Sequence, residues 1–230
     1  MNTDDESRMI APLNPVPWVI WAIALPMVAL ELYLSATETL HVAGTEGLRQ
    51  ALWLHLAFFP DALRSMWAEG YVPPREWLRL ISYPLIHGSL THVVFVVVIL
   101  LALGKFVGEV FRWWAVVVVV LGGAVAGAVA STLVPFVKMG VFGGYPAVYG
   151  LIGAFTFVMW VGERVTGGNQ IRAFALIGFL LAAQTVFGMA FGGGTEWVAD
   201  LAAFGAGFTL SFAVNPAGWA KLVQIVRGRA

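Results

Sequence analysis

The sequence predicts an all-α integral membrane protein: a bundle of six transmembrane helices in which one connection, the first, is long and partly helical. Three observations carry this prediction. Of the 230 residues, 60% are hydrophobic and only 11% charged, where a soluble domain carries roughly 25% charged residues. The sparse charges leave six uncharged runs, at 9–30, 82–104, 113–137, 139–162, 173–195 and 201–220. Each reaches about the 20 residues an α-helix needs to cross ~30 Å of hydrocarbon, where lipid offers no partner to an open strand edge.

The first span is predicted over 16–35, with Pro15 and Pro17 at its entrance, where proline costs a helix little. Residues 36–81 then form a connection too long to be idle. Within it, "LRQALWLHLAFFPDALRSMWAEG" has short helical periodicity, and Trp53, Trp67 and Trp77 are suited to the headgroup level. One or two short helices are expected there, lying in the outer interface and broken near Pro60 and Pro73-Pro74. The remaining connections are short: around Glu109–Arg112, at 138–144, and at 163–172, where "TGGN" makes a turn. "FGGGTEW" reads as a hinge before the last span, and the segment after Asn215 as a basic, mildly amphipathic tail. The organisation is a cytoplasmic N-terminal tail (1–14), a six-span membrane domain (15–214) and a cytoplasmic C-terminal tail (215–230).

Net charge is zero and cysteine is absent. Disulfides and thiolate metal sites are excluded, and nothing points to a nucleic-acid partner. The start "MNTDDESR" is acidic and the first apolar run exceeds a signal-peptide core, so a retained anchor is expected. With both ends in the cytoplasm, Arg8, Lys105, Arg112, Arg164, Arg172, Lys221, Arg227 and Arg229 lie inside; Arg49, Arg64, Arg75, Arg79 and Lys138 lie outside. That excess favours this orientation. His87 and His92 are five apart, about 140° around a helix, and make no ready metal pair. His41 and His55 have no recognisable partner. No metal or cofactor is implied. Internal repeats and paired broken helices are absent, which argues against a transporter.

Three segments carry the chemistry: "EWLRLISYPLIHGSLTHVVFV" (76–96), "GGYPAVYGLIGA" (143–154) and "EWVADLAAFGAGF" (196–208). Their order, spacing and small-residue pattern resemble the rhomboid intramembrane serine proteases, from about Arg75 to Phe212, most specifically at "IHGSLTH" and "AVYGLIGA". The resemblance implies a cavity open to the outside, a Ser–His dyad at the starts of the fourth and sixth spans, and an oxyanion hole drawing on a histidine and an asparagine of the second. Carried over by position, the nucleophile falls on Tyr145, the following glycine on Pro146 and the base on Asp200. The oxyanion asparagine falls on Val96, while the histidine survives as His92, with His87 upstream. Trp77 and Arg79 are similar to the aromatic–arginine element of the family's first loop.

The frame is kept and the reagents are lost. A phenol has an ordinary pKa near 10, and a neighbouring carboxylate raises it further. Losing one oxyanion donor costs roughly 10²–10³ in rate, and losing nucleophile or base on the order of 10⁶. The expected function is therefore a proteolytically inactive rhomboid homologue in the bilayer, in a bacterial inner membrane, that binds transmembrane helices of client proteins as a scaffold or in quality control. Tyr145, Pro146, Asp200, His87 and His92 would line the client cavity. Tyr145 and Asp200 should face each other and share a hydrogen bond, direct or through one water, with the ring filling space a protease leaves open. Simpler readings stand beside these: Asp200 as a carboxylate favoured near a helix N-terminus, and the histidines as ordinary cavity lining. Gly150, Gly153 and Ala154, with Ala203 and Gly207, form small-residue faces for close helix contact. Glu31 and Gln184 each need a partner. A second function reading is an active protease with displaced residues, with Ser89 beside His92 the nearest serine. A third is a small transporter or channel with Asp200, Glu31 and His92 as its polar path. Oligomeric state is left open.

Overall fold

The computed structural model describes residues 15–191 and 194–215. The two tails thus lie outside the described residues, apart from Asn215, and so does the Gln184 side chain. The described chain is α-helical with two 3-10 turns, and its single β-bridge joins Phe58 to Val141.

Among the described residues, five helices are long and apolar enough to cross a membrane: α1 (Trp18–Thr39), α5 (Leu90–Val110), α6 (Trp113–Leu133), α7 (Tyr145–Thr166) and α9 (Glu196–Val214). The remaining predicted span is shorter. Asn169 caps a 3-10 turn, Gln170–Phe174, by accepting the Ile171 N–H at 3.0 Å, so the α-helical part, α8 (Ala175–Phe191), starts late. Its 17 residues rise about 26 Å.

Three short helices occupy the long connection: α2 (Leu48–Leu56), α3 (Pro60–Ala68) and α4 (Pro74–Ser82). The breaks fall near Pro60 and Pro73-Pro74 as expected, giving three helices and not one or two, and a proline opens the helix that follows each break. Pro60 and Pro74 stand at the first helical position, where the missing N–H is an orphan in any case. Trp67, Trp77, Leu78 and Tyr71 are exposed on this layer.

Helices α6, α7 and α9 form the centre, with α5 against α7 and α1 against α5. Glycine sets the spacing. A Cβ on Gly150 would lie 2.8 Å from the Val119 carbonyl oxygen and 3.0 Å from the Gly123 Cα, and one on Gly207 would run into the Gly150 carbonyl. Gly153 faces the Phe204–Phe208 backbone of α9, and Ala203 is fully buried there. These approaches bring backbones into van der Waals contact, the main attraction left between helices when lipid is as apolar as the interface. Below them, Phe157, Trp160, Phe208 and Phe212 pack edge to face.

Two arginines fasten the outer layer to the bundle. Arg64 of α3 donates to the carbonyls of Ser131, Thr132, Val134 and Val137, at 2.6, 2.7, 2.6 and 2.8 Å, and also pairs with Asp61. A guanidinium there satisfies orphan carbonyls at the C-terminus of α6 and meets its negative dipole end. Arg49 of α2 is the partner that Glu31 needs, with bonds of 2.9 and 3.0 Å. It also binds Glu38 at 2.7 and 3.0 Å and the His87 carbonyl at 3.0 Å. Glu38 and Glu31 together hold the guanidinium proton more firmly than usual.

Candidate functional site: a cavity at the heads of α7 and α9

The segment entering α7 has its backbone bonds allotted to specific partners. Phe58 and Val141 exchange two hydrogen bonds, at 3.0 and 2.7 Å. The Gly143 N–H donates to the Tyr83 carbonyl at 3.0 Å, and the Gly144 N–H donates to His87 Nε2 at 3.2 Å. Gly143 has φ of +89°, and a Cβ there would meet His92 Cε1 at 2.5 Å, so only glycine fits. Pro146 follows in the first turn of α7 and has no N–H.

His87 is fully buried at this junction. Because Nε2 accepts from Gly144, the neutral ring carries its proton on Nδ1. Burial, reinforced by neighbouring His92, pushes its pKa down to about 4, against a smaller opposing pull from the Leu85 carbonyl. Tyr83, also buried, donates its hydroxyl to the Ala124 carbonyl at 2.8 Å. Burial first, and then the Asp200 charge, hold that phenol protonated far above its ordinary range.

Beside this junction lies a cavity of about 370 Å³, lined by His92, Ser131, Val137, residues 139–142, Tyr145, Pro146, Thr195, Glu196, Ala199 and Asp200. Tyr145 and Asp200 line it from two different helices. The Tyr145 ring stacks on His92, with centroids 5.0 Å apart and planes at 21°. That stacking draws the ring toward α5, and Tyr145 forms part of the cavity wall. Asp200 is only 3% exposed and is the fifth residue of α9, past the capping position, which Thr195 occupies.

His92 meets His87 edge on at 5.0 Å, and its buried Nε2 has no hydrogen-bond partner among the described residues. Val96 is completely buried, its Cγ1 2.5 Å from where a Gly144 Cβ would sit, and it offers no donor. His87 and Val96 thus stand behind the α7 entrance, while His92, Tyr145, Pro146 and Asp200 face the cavity. Ser89 caps α5, accepting the His92 N–H at 3.2 Å, and does not line the cavity. Trp77 is exposed, and Arg79 reaches Glu76 at 3.4 Å and lies over the Phe59 ring.

Sequence reasoning missed Ser131, Thr195 and Phe142. Ser131 is the one serine among the described residues that line the cavity, fully buried, with its hydroxyl donated to the Gly127 carbonyl at 2.8 Å. Nothing in the local sequence distinguishes it from any small residue in "GAVAST". Phe142 joins His92 at 6.1 Å and Trp53 at 4.3 Å, carrying α2 to the cavity edge. Among the described residues no group of three or more His, Asp or Glu is set to hold a metal ion.

A family model described as Rhomboid domain matches residues 74–217. That stretch contains α4, the α7 entrance and every residue lining the cavity. A search of curated proteins returns no match.

Proposed function

The chain belongs to the rhomboid family, and we propose that it is a member without proteolytic turnover that holds transmembrane helices of client proteins at the α7–α9 cavity. The observation that carries this reading is the state of the α7 entrance. The Gly143 and Gly144 N–H groups are bound to Tyr83 and His87, and Pro146 has none to offer. An oxyanion hole needs donors aimed at the charge that develops, and each missing one costs roughly 10²–10³ in rate. The nucleophile position carries a phenol and the base position a carboxylate, and Val96 supplies no donor in place of the family's asparagine. Asp200 and Tyr145 are proposed to share a hydrogen bond, directly or through one water, that fixes this face of the cavity. The protein is an integral membrane protein; the bacterial inner membrane and cytoplasmic termini belong to the proposal.

The cavity's apolar lining at Val137 and residues 139–142, with Asp200 and Glu196 on the opposite helix, suits a client segment that leaves the bilayer with a mixed polar and apolar end. The competing reading, a working protease with displaced residues, finds less support. Ser89 serves as a helix cap away from the cavity, and the Ser131 proton is committed to Gly127.

The deciding experiment incubates the purified protein in liposomes with a single-pass polypeptide and with a serine-reactive fluorophosphonate. The expected result is binding of the polypeptide, no cleaved product and no labelling. Cleavage or labelling that disappears with Ser131→Ala or Ser89→Ala would establish the protease reading instead.

A further inference from the structure

The charge and the size of the α7–α9 cavity together limit what can enter it. Glu196 and Asp200 are four residues apart on α9 and share a helix face. Both line the cavity: Glu196 is exposed at the start of the helix, and Asp200, about 6 Å further along it, is 3% exposed. No lysine or arginine stands among the described residues of the lining. Lys138, adjacent to it in sequence, is exposed and does not line it.

Asp200 is too far along α9 to serve as its cap. A phenol beside it is a neutral donor, so a bond from Tyr145 leaves the negative charge in place. Ionisable groups within spanning helices face an interior or a water-filled cavity, pair with one another and mark the paths of substrates. A second group at the same wall is open to a donor. His92 Nε2 is buried, has no hydrogen-bond partner among the described residues, and can accept in a neutral ring. A positively charged ligand that carries only donors answers both groups. The carboxylates and His92 are not set as a metal cluster, so an organic cation suits them better than a metal ion.

Size narrows the choice further. The volume of about 370 Å³ is less than one turn of α-helix with its side chains, ~10 Å across and 5.4 Å tall, or about 420 Å³. A client helix therefore stays outside and offers a side chain. Val137, Met139, Phe142 and Ala199 give apolar walls, against which the methylene stem of a long basic side chain packs while its head reaches a polar site.

We propose that the cavity selects client helices carrying a juxtamembrane lysine or arginine, whose side chain enters past Glu196 and pairs with Asp200. The proposal rests on the reading that this cavity holds membrane helices, and it adds what such a helix must carry.

The test uses the full chain in phosphatidylcholine liposomes, with a dye on Ala230→Cys, the only thiol in a chain without cysteine. The probes are two labelled single-span peptides, identical except that one juxtamembrane lysine is free or acetylated; acetylation keeps the stem and removes the charge. Energy transfer reads their association. The free-lysine peptide is expected to associate at least about tenfold more tightly, the lower end of coupling between close interfacial charges. Asp200→Asn should reduce that preference to about one. So should Glu196→Lys, which places a fixed cation at an exposed position of the lining and serves if Asp200→Asn fails to fold. Equal association of the two peptides with the unsubstituted protein overturns the proposal and leaves client holding intact, and a preference that survives the substitutions also overturns it. Association of neither peptide removes the client-holding reading itself. Exchanging half the lipid for phosphatidylethanolamine supplies a competing ammonium. Undiminished association supports the proposal, whereas displacement of the lysine peptide would give the cavity to a lipid headgroup and overturn it.

Discussion

Removing the Arg49 guanidinium tests whether the first connection is welded to the bundle or merely rests on it. Arg49 meets Glu31 through two separate nitrogens, at 2.9 and 3.0 Å, and Glu31 is 1% exposed. The Glu38 side of the same network is 51% exposed. An exposed pair contributes about 0–1 kcal/mol, whereas stripping one partner from a buried pair costs about 3–5 kcal/mol, because the remaining charge is left without compensation. Arg49→Ala is therefore expected to lose about 3–5 kcal/mol and Glu38→Gln less than about 1 kcal/mol. The double variant Arg49→Ala/Glu31→Gln should regain a large part of the loss, since a neutral amide costs less to bury. Unfolding in mixed micelles, followed by circular dichroism against denaturing detergent, provides the readout. A loss below about 1 kcal/mol for Arg49→Ala, or no rescue in the double variant, would refute the assignment of Glu31 as a buried anion held by this arginine.

Four further outcomes follow from other parts of the fold. His87 has a depressed pKa of about 4, so the unfolded chain takes up its proton first as pH falls. Its contribution is complete above about pH 6.5 and lost between there and about pH 4, some 3 kcal/mol in all, and His87→Gln should flatten that slope in pH-dependent unfolding. Gly207→Ala drives a Cβ into the Gly150 carbonyl and should cost at least about 1–3 kcal/mol. Gly178→Ala, where a Cβ meets nothing within 4 Å, should be neutral or gain up to about 1 kcal/mol by thermal unfolding. Arg64→Met keeps the aliphatic stem but abandons the carbonyls at the end of α6, and a loss of about 1.5–3 kcal/mol is expected, with Arg64→Lys recovering part of it in the same assay.

The spans were legible because charge is the dearest thing to bury in lipid, so its absence over 82–104 or 113–137 has one economical meaning. The small-residue faces could be read for a related reason: glycine at helical spacing matters only where another backbone comes close, as Gly150 and Gly207 do. What escaped were contacts that depend on the first connection folding back. Glu31 and Arg49 are 18 residues apart, and Arg64 reaches carbonyls about 70 residues away, so no local pattern announces either. The late start of α8 turns on Asn169 choosing a 3-10 turn, a local competition that hydropathy does not see. At the site, Tyr145 and Asp200 could be placed by resemblance, but the stacking of Tyr145 on His92 could not. Ring orientation depends on rotamers set by neighbours from other elements, here His92 of α5, and a phenol at a helix start can turn several ways.

The Phe58–Val141 exchange and the Arg64 bond to the Val137 carbonyl have a mechanical meaning. The strip of chain bordering the cavity is hydrogen-bonded to the short-helix layer, so force applied at α3 is delivered directly to that border. A soluble factor or antibody gripping α3 would thereby pull on the cavity border through these hydrogen bonds alone, without touching the bundle itself.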